Sequence, residues 1–351
     1  MSGKALNKQE MDSIDLAKFV FAFAVIHIHA GGGTVVHPIL ASIVNSFDSL
    51  AVPFFFIVAG YFFFNRIEKL ENEAQKKEYA ISYLLKTLKI YFVWSVVLLP
   101  SRLILSKSSM LGVLLKWFRT VFFIGDAQLW YLNALLIGLI LILILKKSKI
   151  NDTWIMLIGV VFFIAGIFVQ KQLDVASVNG YAGFWKLYYM IWGKTIKNGV
   201  FMGMFYCMLG TLIQKIPQTK TVFICTISAF ILYVVGVYFQ YEWRKLLLPV
   251  VSVLVVESVI MLPLHIGSLG KWFRSMSTLL FLCHYIFVRA FECFVSQKEY
   301  INLRLLVCLH FYCLHCSSGL EIKIKELGGY GNSEMNRKVV VNGGKRSTSI
   351  I

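Results

Sequence analysis

Long apolar runs separated by short polar or basic stretches make up most of this chain. A helix that crosses the hydrocarbon core of a bilayer needs about 20 predominantly apolar residues. The pattern therefore predicts nine membrane-spanning helices and a poorer tenth, over 14–34, 47–64, 81–99, 128–145, 153–170, 198–214, 221–239, 246–262, 276–292 and 301–316. This favours an all-α integral membrane protein, a polytopic bundle of about ten transmembrane helices.

Two stretches between these runs have a different pattern. The segment "MLGVLLKWFRTVFFIG", over 110–125, is amphipathic, and "YAGFWKLYYMIWGK", over 181–194, is rich in aromatic residues and lysine. Both are typical of segments that lie in the membrane interface. We expect one transmembrane domain over 1–300, an atypical last helix over 301–316, and a polar, disordered tail over 317–351.

Composition supports the membrane interpretation. Of the 351 residues, 58% are hydrophobic and only 15% are charged, with a mean hydropathy of +0.71. A soluble protein of this length needs more charge to cover its surface. The net charge is +17, and the basic residues lie in short clusters between the apolar runs. This distribution indicates that they control topology and contact anionic lipid headgroups. It does not favour nucleic acid as a partner. The chain has seven cysteines, an odd number, and we expect no disulfide framework.

Basic clusters also predict an orientation. The even-numbered breaks between the predicted helices carry clusters such as Arg66 with Lys69 and Lys146 with Lys147, whereas most short odd-numbered breaks are poorer in lysine and arginine. Because basic loops remain in the cytoplasm, we expect a multi-pass protein of the inner (cytoplasmic) membrane with both termini inside. The two long external loops depart from this rule.

The first apolar run, "SIDLAKFVFAFAVIHIHAGGG" over 13–33, contains several ionisable side chains. Helical geometry of about 100° per residue returns His29 to within roughly 20° of Lys18, whereas His27 lies about 180° away. Asp15 lies near the same face as Lys18. Two interpretations remain open. Asp15 and Lys18 are ordinary flank residues and His29 is a packing histidine, or all three form one stripe that binds a long, phosphate-bearing ligand. Ionisable groups inside a span are costly, which favours function.

Five stretches, in this order, carry a resemblance to the membrane-bound acyltransferase-3 family. Asp15, Lys18 and His29 match the spacing of that family's first helix, with lysine where arginine is usual. Ala59 stands where the family usually has serine. The stretches are "IDLAKFVFAFAVIHIHA" (14–30), "VPFFFIVAGYFF" (52–63), "LLKTLKIYFVW" (84–94), "QLWYLNALL" (128–136) and "LGKWFRSMSTLLFLCHYIF" (269–287).

The resemblance implies transfer of an acyl group, commonly acetyl, from acyl-CoA to a hydroxyl of a glycan or another cell-envelope acceptor. Acyl-CoA is then a co-substrate and not a tightly bound cofactor. His29 and Asp15 are the candidate catalytic residues. His29 is the candidate general base, since a neutral imidazole can take the hydroxyl proton. Asp15 either orients Lys18 or is simply solvated at the mouth of the helix. Lys18, Lys86 and Lys89 are the candidate donor-binding cations, although cytoplasmic flanking also explains Lys86 and Lys89.

Four further residues are candidates for substrate binding. Trp130 and Asn133 can line an acceptor cavity, although anchoring at the interface also accounts for a tryptophan there. Glu257 interrupts an apolar run and should be protonated or paired, with the histidines as candidate partners. His284 can position substrate or pack against another helix.

Two other functions remain open at this stage. A proton-coupled transporter can use Glu257 and the histidines as a relay, but no internal repeat of the kind common in transporters is visible. A catalytically impaired acyltransferase-like protein would explain Lys18 and Ala59. The cysteines and histidines between Cys308 and Cys316 fit no zinc-ligand spacing, so no metal site is predicted.

Overall fold

The computed structural model describes residues 8–30, 37–105, 109–125, 127–180, 182–192, 196–216, 219–262, 264–267 and 269–294. The predicted tenth helix over 301–316 and the predicted tail over 317–351 lie outside these residues. The described part is helical, with no strand in it. Its α-helices are α1 (Lys8–His29), α2 (Pro38–Glu68), α3 (Glu73–Leu105), α4 (Met110–Arg119), α5 (Trp130–Lys147), α6 (Asp152–Asn179), α7 (Gly183–Trp192), α8 (Met204–Leu209), α9 (Lys220–Tyr238), α10 (Arg244–Met261) and α11 (Leu269–Phe294).

Five of these helices, α2, α3, α5, α6 and α9, are long and apolar enough to cross a membrane by length and composition. The expected count of about ten spans is not confirmed. Helix α1 has 22 residues, but its first half carries Asp12, Asp15 and Lys18. Helix α11 has 26 residues, and it begins with Lys271 and Arg274. These polar ends of α1 and α11 contain the charged part of the candidate site.

Helices extend beyond the apolar runs that predict them, because capping groups and not hydropathy decide where they begin. Helix α2 begins at Pro38, well before the predicted start at 47, with proline in the first turn. Helix α6 begins after Asn151, whose side chain accepts a hydrogen bond from the Trp154 backbone N–H at 3.0 Å.

The predicted helix over 198–214 is interrupted. A π-helical turn over Gly199–Gly203 leads into α8, and a 3-10 turn follows over Gly210–Lys215. The Asn198 side chain accepts hydrogen bonds from the backbone N–H groups of the next turn, at 3.0 Å each. Such π turns mark functional sites more often than regular helix does.

Glycines allow this interrupted segment to approach its neighbours closely. A methyl group added at Gly203 would lie 2.2 Å from the Ala134 carbonyl oxygen on α5. One added at Gly60 on α2 would lie 2.2 Å from the Cys207 carbonyl oxygen. Membrane helices often associate through small residues in this way. Helix α2 is the centre of the packing, and Phe54, Phe56 and Phe63 are fully buried there.

Helices α1 and α11 pack side by side and run in the same direction. A methyl group at Gly270 would meet the Asp12 carboxylate, Arg274 contacts Asp15, and the ring of His284 lies against His29. The contact positions advance together along both helices, which is possible only for a parallel pair. Residues far apart in sequence therefore meet in two groups, one near each end of this pair.

Candidate active site

The first group is an ion cluster at the beginning of α1 and α11. The Asp15 carboxylate is only 2% exposed, and it accepts hydrogen bonds from Arg274 Nε at 3.0 Å and from Nη2 at 2.5 Å. Lys18 Nζ lies 3.6 Å from the same carboxylate and 4.8 Å from the centre of the Phe62 ring. Two cations therefore share one buried carboxylate, and the cluster has a formal charge of +1.

A cavity of about 360 Å³ opens beside this cluster. Lys18 and Arg274 supply its charged lining, and the Ser277 and Thr278 side chains lie next to Arg274 on α11. The remaining wall is mainly apolar and aromatic. It consists of Phe55, Val58, Ala59, Phe62, Tyr83, Thr87, Ile90, Tyr131, Leu132, Leu135 and Phe281. A cationic end with an apolar body is suited to a ligand that has an anionic group and a long, less polar arm.

The structure does not bring Lys86 and Lys89 to this cluster. Both side chains are exposed on α3. The same helix contributes Tyr83, Thr87 and Ile90 to the cavity wall. Neither lysine belongs to the cavity lining, although Lys86 lies one helical turn from both Tyr83 and Ile90.

The second group contains the two candidate histidines. The rings of His29 and His284 have their centres 5.2 Å apart and are tilted by 39°. Tyr285 lies edge-on to His29, with 6.0 Å between ring centres. His284 is fully buried, and its Nδ1 lies 2.9 Å from the Leu280 carbonyl oxygen. The two histidines that the sequence proposed on separate grounds are therefore neighbours.

The structure does not bring Asp15 to this histidine pair. Asp15 precedes His29 by fourteen positions on one helix, which is about 21 Å along the axis. Its carboxylate contacts Arg274 and Lys18 instead. Asp15 accordingly contacts the two cations and does not reach the histidine pair.

His27 faces a different helix from His29. Its Nδ1 lies 2.6 Å from Oδ2 of Asp48 on α2, and Asp48 is buried. A buried carboxylate needs such a partner, so His27 stabilises the contact between α1 and α2. His27 therefore lies on the opposite side of α1 from Lys18 and His29. It is a structural histidine, whereas His29 is the candidate catalytic one.

The cavity wall extends from the ion cluster to Phe281, which lies beside the histidine pair. Phe281 lines the cavity, and its ring centre lies 6.5 Å from that of His284. Tyr131 lines the same cavity, packs edge-on against Phe281 at 5.6 Å, and donates a hydrogen bond to the Phe55 carbonyl at 3.1 Å. From Arg274 to Phe281 the wall follows seven residues of α11, about 10 Å.

A third cation lies near the histidine pair. Lys197 Nζ lies 5.5 Å from the centre of the Trp130 ring, and its charge acts on His29. The backbone on either side of Lys197 is held in place, since the Ile196 N–H donates to the Gln170 side chain and Asn198 caps the π-helical turn. The predicted residue Trp130 thus lies beside the site, and Asn133 is buried one turn further along α5.

Glu257 does not make the contact that the sequence suggested. It is 1% exposed on α10, and neither carboxylate oxygen has a hydrogen-bond partner among the described residues. Of the two alternatives that the sequence left open, protonated or paired, no pairing with a histidine occurs among the described residues. The uncharged acid is the form that such an apolar setting favours.

Sequence reasoning missed Arg274, Asp48 and Lys197. Arg274 lies within the quoted stretch over 269–287, but there it resembles an ordinary basic flank of a span. Lys197 stands next to the capping residue Asn198 and before Gly199, which is a local signal for an interrupted helix. Nothing local to Asp48 indicates that it pairs with His27.

Comparisons with known proteins agree with this architecture. The apolar helices, with polar groups buried between them, define a membrane protein. A family model described as an acyltransferase domain matches residues 11–315. The chain therefore belongs to the acyltransferase-3 family.

Two curated relatives from Enterococcus faecalis, both named amino-acid racemase, are distant. One is 25% identical over 237 residues, which cover 66% of this chain and 33% of the relative. The other is 26% identical over 220 residues, which cover 60% of this chain and 29% of the relative. Because the chain spans about a third of their length, the name describes those proteins and assigns no activity to this chain. No solved structure matches the chain.

Proposed function

We propose that this protein transfers an acyl group, acetyl in the simplest case, from acyl-CoA to a hydroxyl of a glycan or another cell-envelope acceptor. The observation that carries the proposal is a cavity with the cations Lys18 and Arg274 in its lining, whose wall residue Phe281 lies 6.5 Å, between ring centres, from one imidazole of the pair His284 and His29. One end can hold phosphate groups, and the other can move a proton. Acyl transfer from a phosphate-bearing thioester needs both.

The donor binds with its phosphate groups at the ion cluster. Asp15 offsets one of the two positive charges there, and it also fixes the guanidinium of Arg274 through Nε and Nη2. Charge-assisted hydrogen bonds from arginine and lysine are the strongest contacts that proteins make to phosphate. The family's usual arginine is replaced by Lys18, and Arg274 supplies a planar guanidinium beside it.

The reacting end uses His29 as general base. Its imidazole takes the proton of the acceptor hydroxyl while the oxygen forms a bond to the acyl carbon. The bond between that carbon and sulfur then breaks, and the departing thiolate takes the proton from the His29 imidazolium. Base catalysis of this kind contributes about 10² to 10⁴-fold. Lys197, whose Nζ lies 5.5 Å from the centre of the Trp130 ring, supplies the positive charge that stabilises the oxyanion of the tetrahedral intermediate.

In a cell this arrangement suits the inner membrane with both termini in the cytoplasm. Lys18 and His29 lie about 16 Å apart along α1, so the phosphate end faces the cytoplasmic supply of acyl-CoA and the acyl end reaches deep into the bundle. Membership of the acyltransferase-3 family favours this function over a proton-coupled transporter. Among the described residues Glu257 has no hydrogen bond to a histidine, and this gives no support to the relay that the transporter interpretation requires.

The proposal is tested with purified protein in lipid nanodiscs, acetyl-CoA labelled in the acetyl group, and envelope polysaccharide from a strain that lacks the protein. Transfer of label and release of free CoA in equal amounts are expected. His29→Ala should abolish both. His27→Asn is the matched control, because its amide N–H lies near the position of Nδ1 and can still donate to Asp48, and it should retain turnover. If His29→Ala and His27→Asn were equally active, His29 would not be the base.

A further inference from the structure

The hydrogen bond of His284 fixes the tautomer of its ring. A carbonyl oxygen can only accept, so the Nδ1 that lies 2.9 Å from the Leu280 oxygen must carry the proton and donate it. A second proton, on Nε2, would leave a charged and unpaired group in a fully buried position, which is costly. The ring is therefore neutral, and Nε2 carries a free lone pair.

The lone pair on Nε2 of His284 has no partner, because this atom is buried and makes no hydrogen bond to any described residue. Buried polar atoms in folded proteins are nearly always paired, so an exception needs a reason. The partner must be a donor, since an unprotonated ring nitrogen accepts only.

His29 is the neighbouring ring that can be this donor. The distance of 5.2 Å between the two ring centres is short enough for an N–H···N hydrogen bond of about 2.9 Å between facing nitrogens. The rings are tilted by 39° and do not form it in the described arrangement. His29 is only partly buried, so its ring has room to turn, whereas Leu280 holds the ring of His284.

We propose that His284 is the positioning residue for His29. It accepts a hydrogen bond from one ring nitrogen of His29 and so leaves the other as the lone pair that faces the acceptor hydroxyl. The hydrogen bond made by one imidazole nitrogen decides which tautomer the ring adopts. When His29 takes the hydroxyl proton, the same bond stabilises the imidazolium until the thiolate of CoA removes that proton. The inference rests on the proposed function.

A pair of isosteric variants separates this role from packing. His284→Asn keeps an amide N–H near the position of Nδ1 and can still donate to Leu280, but it has no acceptor at the position of Nε2. His284→Gln can place its amide oxygen near that position. We expect His284→Asn to lower kcat by about 10²-fold with KM for acetyl-CoA unchanged, and His284→Gln to restore kcat to within about tenfold of the parent. Cys283→Ser on the same helix is the control.

Equal losses in His284→Asn and His284→Gln would overturn the inference, as would parental kcat in His284→Asn. A second readout does not depend on turnover. Spectra of ¹⁵N-histidine-labelled protein in nanodiscs should show the Nδ1–H tautomer for His284, and the Nε2–H tautomer would also overturn it. If His29→Ala retained activity, the proposed base would fail. If His29→Ala were inactive while His284→Asn was fully active, only the present inference would fail.

Discussion

Loss of the Arg274 side chain should destabilise the protein, because it leaves the Asp15 carboxylate buried and undercompensated. Arg274→Gln removes every hydrogen bond that Asp15 accepts from Nε and Nη2, between 2.5 and 3.1 Å. The nearest remaining cation is Lys18, at 3.6 Å. The perturbation therefore acts on a carboxylate that is 2% exposed and cannot be rescued by water.

The size of the stability loss follows from the exposed fractions of the Asp15 and Arg274 side chains. Removing one partner of a fully buried ion pair costs about 3–5 kcal/mol. The Arg274 side chain is 49% exposed and Lys18 stays in place, so we expect a loss of about 2–3 kcal/mol for Arg274→Gln. Asp15→Asn removes the charge itself and leaves an arginine that solvent can reach, so its loss should be smaller, about 1–2 kcal/mol.

A double-mutant cycle measures the contact between Asp15 and Arg274. The free energy of unfolding of the parent, both single variants and the double variant is measured in mixed micelles with a rising fraction of denaturing detergent. The double variant should be more stable than the sum of the single losses predicts, with a coupling of about 1.5 kcal/mol. Additivity within about 0.5 kcal/mol would refute the reasoning, because it would mean that the two side chains do not interact.

Three further predictions concern other parts of the site and its frame. Gly203→Ala should abolish folding, since its methyl group would lie 2.2 Å from a carbonyl oxygen, whereas Gly159→Ala, with its nearest contact at 3.3 Å, should still give monodisperse protein in size-exclusion chromatography. Lys197→Gln should lower kcat by about tenfold through the loss of its charge near His29, and Lys197→Arg should keep most of it in the labelled transfer assay. Lys18→Arg should lower KM for acetyl-CoA by about three- to tenfold, because guanidinium binds phosphate in a bidentate fashion; an unchanged KM would place the phosphates elsewhere.

The agreement between sequence and structure differs from one residue to another. Helical periodicity separates His29 from His27, and the structure places them against α11 and α2 respectively. For Lys86 and Lys89 the sequence left donor binding and cytoplasmic flanking open, and the structure shows both side chains exposed on α3, outside the cavity lining. The prediction of one regular helix over 198–214 was wrong because hydropathy does not register the glycines that change the hydrogen-bonding pattern there.

The sequence by itself determined the helical class, the apolar segments, the phase of His29 and the family, because these depend on local periodicity and on the order of motifs. Only the tertiary structure decided which groups act together. Arg274 meets Asp15 across 259 positions, and His284 meets His29 because α1 and α11 pack in parallel. Such partners depend on how the helices pack against one another, and no window of the sequence contains that information.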